Sequence, residues 1–142
     1  MVKQLSVFVE NKHGRIMEIL TTLANNKVDI KALSVADATD FGVIRMIVSD
    51  VEVAKKALKD DGVIVRISDV MAVAVEDKPG ALLNTFSILC DNGVAIEYMY
   101  AFAVKLGDSS IIAIHTDMPV KSVELLKAGG VHVLENSEVE AL

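Results

Sequence analysis

The sequence predicts an α+β fold: two ferredoxin-like βαββαβ units in tandem, each an antiparallel sheet with its helices on one face. Three observations carry that expectation. The chain repeats itself about its middle, each half alternates strand-like and helix-like periodicity, and the order of segments is the same in both halves.

The repeat is gapless over Val7–Ala36, which returns as Val73–Phe102, shifted by 66 positions. Val7, Val9, Glu10, Lys12, Gly14, Leu23, Asn26, Val28 and Ile30 recur as Val73, Val75, Glu76, Lys78, Gly80, Leu89, Asn92, Val94 and Ile96. Similarity resumes where Ser49-Asp50 matches Thr116-Asp117, and where Lys59, Gly62 and Val63 match Lys127, Gly130 and Val131. The drift of one or two residues there predicts a loop insertion near Leu106–Asp108. Duplication divides the chain into units 1–69 and 70–142.

In the first unit Leu5, Val7 and Val9 alternate with Gln4, Ser6 and Phe8, the period of a strand. After the turn at Asn11–Gly14, Ile16, Ile19, Leu20 and Leu23 fall at helical spacing on one face. Val28–Ala38 and Val43–Ser49 are β-branched and strand-like. Val53, Ala54, Ala57 and Leu58 form a second helical stripe stopped by Asp61-Gly62, and Val63–Ile67 is a last strand. The second unit follows with Met71–Glu76, Ala81–Asn92, Val94–Val104, Ser109–Thr116, Val120–Ala128 and Val131–Glu135. Ile67–Val70 is too short for a linker, so the units are expected to pack rigidly. Ile111–Ile114 and Met71–Val75 are apolar on both strand faces. The face without helices is therefore expected to be buried by the other half or by a second copy in a homodimer.

Composition narrows the function. Of 142 residues 52% are hydrophobic and 24% charged, so a packed globule follows and disorder does not. The net charge of −6, with scattered Lys and Arg, offers no basic stripe for nucleic acid. The N-terminus shows no signal peptide and no apolar run near membrane-spanning length, so a cytoplasmic setting is expected. A single cysteine excludes an internal disulfide; Cys90 shares the apolar stripe of Phe86 and Leu89 and reads as a packed thiol. His13, His115 and His132 lack metal-ligand spacing, and no nucleotide-loop or hydrolase motif is present. Neither metal nor cofactor nor catalytic residue is expected. Met17, Met46, Met71 and Met99 read as core filler, and the Glu138–Glu140 tail as a solvated end.

The strand-to-helix turns are where a ligand could sit. They read Asn11-Lys12-His13-Gly14 and Asp77-Lys78-Pro79-Gly80. A glycine at each helix entrance removes a Cβ and permits close approach. The amides from Gly14 to Ile16 and from Gly80 to Leu82 open a helix, where unpaired N–H groups and the positive dipole end suit a carboxylate. Asn11 or Asp77 could take the ammonium of the same zwitterion. An ordinary capped turn has the same residues, and at this level both readings stand.

The run Asp77-Lys78-Pro79-Gly80-Ala81-Leu82, after a Val-rich strand in a βαββαβ unit, resembles the hallmark turn of the ACT domain family. The resemblance covers nearly the whole chain, once per unit; in the first, His13 replaces the proline. These are regulatory modules of amino-acid metabolism, and the likeness extends to regulatory subunits of acetolactate synthase. It implies a freestanding, non-catalytic module that binds a free amino acid between its two units and acts on a partner enzyme. The implied turn residues are Asn11, His13, Gly14, Arg15 and Ile16, and Asp77, Pro79, Gly80, Ala81 and Leu82. A polar residue opening the second strand is implied by Asp29, but Ala95 holds that place in the second unit, so the two pockets are unequal. On the second strands Lys31, Leu33 and Ser34, and Glu97, Tyr98, Met99 and Tyr100, would set side-chain preference. Tyr98, Tyr100 and Phe102 also fit plain core positions. The competing reading is a structural or protein-interaction module without a small-molecule ligand.

Overall fold

Alternating apolar residues in Val2–Glu10 form β1, whose Leu5, Val7 and Val9 point into the core. In the computed structural model, which describes residues 1–37 and 40–142, the chain continues with α1 (Arg15–Asn25), β2 (Ile30–Asp37), β3 (Phe41–Val48), α2 (Val51–Asp60) and β4 (Ile64–Glu76). The later elements are α3 (Ala81–Cys90), β5 (Ile96–Leu106), β6 (Ser109–Thr116), α4 (Pro119–Ala128), β7 (His132–Val133) and α5 (Asn136–Glu140). It is an α+β fold of alternating strands and helices. The expected strand Val28–Ala38 ends on Ala38, which lies outside the described residues. The chain divides into two compact units, Lys3–Ser68 and Asp69–Leu142, the latter joined by Met1–Val2.

In the first unit β3 pairs antiparallel with both β1 and β2, setting Val7 and Val35 opposite Ile44, while β1 also pairs with β4. Ile19 and Leu23 of α1 and Ala54 and Leu58 of α2 close over Leu5, Val7, Ile44 and Met46. Asp50 caps α2 by accepting from the Val53 amide at 3.0 Å. Alternation on β1 is incomplete, because Gln4 and Ser6 are buried too; the Gln4 amide donates to Ser68 Oγ at 3.3 Å.

The second unit repeats the arrangement. β6 pairs with β4 and β5, and β7 pairs with β4 on its other side. Ala81 and Leu89 of α3 and Leu126 of α4 cover Met71, Val73, Val75 and Ile114. Ala72, Ile111 and Ala113, on the opposite strand face, are buried as well. The buried hydroxyls of Thr116 and Ser122 satisfy each other at 2.8 Å.

Several expectations need correction. Ile67–Val70 is the middle of one 13-residue strand, since nothing in it breaks extended backbone. The tail is a helix: Glu135 and Glu138 form a reciprocal capping box, and Val139 is buried. Cys90 is exposed, because the buried stripe of α3 runs through Ala81, Thr85 and Leu89 and leaves the next residue on the flank. Met46 and Met71 are core residues, but Met17 and Met99 are exposed. The later repeat register also shifts. Asp29 receives a backbone bond from Ser49, and Ala95 receives one from Asp117, so Ser49 corresponds to Asp117 rather than to Thr116. The extra residues sit in the longer β5, whose register with β6 slips between Ala101 and Lys105.

Leu23 and Leu89 occupy equivalent core positions, each essentially without solvent contact. Leu23→Ala and Leu89→Ala should each lower stability by about 2–5 kcal/mol, read from urea unfolding.

Candidate functional site

The two strand-to-helix turns are built bond for bond alike. Lys12 N–H donates to Glu10 O at 2.8 Å, and Lys78 N–H to Glu76 O at 2.9 Å. Arg15 and Ala81 donate to Lys12 O and Lys78 O, both at 3.3 Å, and Glu18 and Asn84 to Gly14 O and Gly80 O, both at 3.0 Å. Gly14 and Gly80 cap the helices in the left-handed region, at φ 83° and 85°, without a side-chain cap. A Cβ built on either meets nothing within 4 Å. Backbone conformation demands the glycine, since no neighbouring protein atom would meet a Cβ there.

Of the expected donors only the middle amide of each set is taken, while those of Gly14 and Gly80 have no acceptor among the described residues. Arg15 and Ala81 amides are engaged inside the turn. Among the described residues the amides of Ile16 and Met17, and of Leu82 and Leu83, have no acceptor. They are the second and third amides of α1 and α3, where the helix leaves N–H groups unpaired.

The side chains diverge. His13 and Pro79 are both exposed. Arg15 lies along its own helix, 2.6 Å from Glu18, whereas Ala81 in the corresponding place is buried. Asn11 is uncharged, and its backbone N–H donates to Asp40 O at 3.0 Å. Asp77 instead holds Lys105 Nζ at 2.7 Å, and the Lys105 hydrogen bond and charge keep its carboxyl below the ordinary range. Each turn also carries a local pair, Lys12 with Glu10 at 2.6 Å and Lys78 with Glu76 at 2.5 Å.

The second turn borders a groove of about 390 Å³ that Lys78 and Ala81 help to line, and it opens onto a smaller cavity. About 180 Å³ is lined by Val75, Glu76, Asp77, Lys78, Leu82, Ser110 and Ile112. It gathers Asp77 and Leu82 from the expected set; Pro79, Gly80 and Ala81 shape the turn without lining it. Val75, Ser110 and Ile112 were not singled out by the sequence, because β4 and β6 meet them only through strand pairing. A larger groove of about 500 Å³ runs along α1 past Glu18, Thr22 and Asp61, and of the expected residues includes Arg15 alone.

At the second strands, Asp29 donates its amide to Ser49 Oγ at 2.9 Å, and its carboxyl is held low by the Lys31 ammonium 2.8 Å away. Ala95 has no such side chain, but its amide donates to Asp117 Oδ1 at 2.9 Å. Asp117 thus takes the part of Ser49 as acceptor for the strand-opening amide. Leu33 and Met99 are exposed, Tyr100 and Phe102 buried. Tyr98 stacks on His115 with ring centroids 4.8 Å apart, and His115 Nδ1 lies 2.8 Å from Glu97.

Among the described residues no group of three or more His, Cys, Asp or Glu could hold a metal ion, and no helix is long and apolar enough to cross a membrane.

The family description "ACT domain pair" matches residues 1–142. Protein BT0572 from Bacteroides thetaiotaomicron is similar at 40% identity and a TM-score of 0.91, over 99% of this chain and 96% of that one. The ligand-free regulatory subunit of aspartate kinase from Thermus thermophilus shares the fold at 13% identity and a TM-score of 0.64, over 89% and 91%. Its counterpart from Thermus flavus does so at 14% and 0.61, over 90% and 92%. No curated protein sequence matches. The narrower likeness to acetolactate synthase subunits has no support in these matches.

Two measurements check the turn. Gly80→Ala should cost about 1–2 kcal/mol in denaturant unfolding, because φ of 85° opposes any Cβ even in open space. A carboxyl held below its unfolded value stabilises above that value and loses the contribution as pH falls through the folded one. Lys105→Met should therefore raise the Asp77 midpoint toward the ordinary carboxylate range, seen by NMR titration of its side-chain carbonyl.

Proposed function

The chain belongs to the ACT domain pair family, and from that premise we propose that it is a non-catalytic module whose second strand-to-helix turn binds a free α-amino acid. ACT modules are regulatory, and this part of the reading needs no particular ligand. The amino acid is the finer proposal, and one observation carries it: the small cavity where Asp77, Leu82 and an apolar wall of Val75 and Ile112 meet. Asp77 would take the ammonium, the unpaired amides opening α3 would take the carboxylate, and the apolar wall would take an aliphatic side chain. The first turn has the same backbone but no carboxylate at Asn11. We accordingly assign the principal site to the second unit.

In this proposal units 1–69 and 70–142 are two ferredoxin-like ACT units, and Asp29, Leu33, Tyr98 and Met99 on the second strands tune selectivity. Ligand acts by differential affinity, favouring one conformation that a partner enzyme reads. The same proposal includes a cytoplasmic homodimer. The exposed Met17 and Leu83 in the first turns of α1 and α3 favour the second reading, a surface for a protein partner without any small ligand.

A thermal-shift screen of the twenty L-amino acids separates the two. At a ligand concentration one hundred times Kd the folded state gains about 2.7 kcal/mol, a clear rise in Tm. Asp77→Asn should weaken the response. If no amino acid raises Tm at millimolar concentration, the sensor reading is lost and the interaction reading stands.

A further inference from the structure

The carboxylate that this reading gives to a ligand's ammonium already holds one. Lys105 lies near the end of β5, 28 residues along the chain from Asp77, and its Nζ sits 2.7 Å from Asp77 Oδ2. Its place follows from the hairpin. Lys105 pairs across the ladder with Ser110, and Ser110 lines the cavity at the turn. The register slip just before Lys105 marks the segment by which the second unit is longer than the first. Lys78, the ammonium that lines the cavity itself, is engaged by Glu76 at 2.5 Å. Lys105 is thus the cation set against Asp77, with Asp108 near enough to add to its stabilisation as a cation.

Resting on the amino-acid reading above, we propose that Lys105 is an internal competitor for the site: its ammonium occupies the position of the ligand's α-ammonium, and binding exchanges one for the other. The exchange moves no net charge at Asp77. Both partners are well exposed, so their attachment is weak. Lys105 therefore moderates affinity without closing the site. It also gives the ligand something to release, because the free state ties the β5–β6 hairpin to the turn and the bound state unties it. A molecule with the same side chain and carboxylate but no ammonium cannot make the exchange. The device selects amino acids over their N-acylated or 2-oxo counterparts.

The test is titration of wild type, Lys105→Met and Lys105→Arg with each of the twenty L-amino acids and with their N-acetyl forms, read by Tm and calorimetry. Any amino acid that binds wild type should bind Lys105→Met with a Kd lower by about two- to five-fold. Lys105→Arg should match wild type, and N-acetyl forms should not distinguish the variants. Binding by Lys105→Met alone would support the competitor still more strongly. An unchanged or higher Kd on Lys105→Met, with wild type binding normally, overturns the competitor and leaves the amino-acid site standing. A higher Kd would place Lys105 on the ligand's carboxylate. If no amino acid binds either protein, both proposals fall together.

Discussion

A helix that starts four residues after a strand ends must reverse the chain before its first turn is hydrogen-bonded, and that constraint shapes this protein twice. The reversal is made by one residue in the left-handed region, Gly14 or Gly80, with the preceding lysine carbonyl accepting from the first helical amide. The second and third amides are then left without partners beside the last residues of the strand. The unpaired amides that make the turns candidates for an anion come from this backbone arrangement. The cores follow from it as well, since the turn sets the phase at which Ile19 and Leu23, or Ala81 and Leu89, meet the sheet.

Identical backbones have been given unlike side chains. Asn11 stands against Asp77, Arg15 against Ala81, Asp29 against Ala95. Some differences compensate, as when Ser49 Oγ and Asp117 Oδ1 accept from the corresponding amides at residues 29 and 95, both at 2.9 Å. Others do not. The carboxylate at residue 77 has no equivalent at residue 11. Duplication preserved the frame while the side chains of the two turns separated.

Electrostatics at the second turn is a matter of weak, solvent-exposed pairs. Lys78 with Glu76 and Lys105 with Asp77 each contribute little to folding in water. Weak pairs are suited to exchange, because a small zwitterion brings charges of the same kind and similar strength. Regulation through such a site works by shifting a balance between states that are already close in free energy.

Local pattern was enough for the repeat, the order of elements and the two glycine turns. Periods of two and of about 3.6 residues are written into neighbouring positions, and Val7–Ala36 recurs without a gap. Asp77 and Leu82 could be picked out because the turn that holds them is contiguous. Partners brought from elsewhere could not. Lys105 reaches Asp77, Ser110 and Ile112 wall the cavity, and Asp117 serves Ala95 only once strands have paired and a hairpin has slipped its register. The exposure of Cys90 and the burial of Val139 turned on a similar detail, which residues of a short helix face the core. Sequence thus settled what each segment is, since that depends on adjacent residues; tertiary structure decided which distant side chains meet, since that depends on where the chain returns.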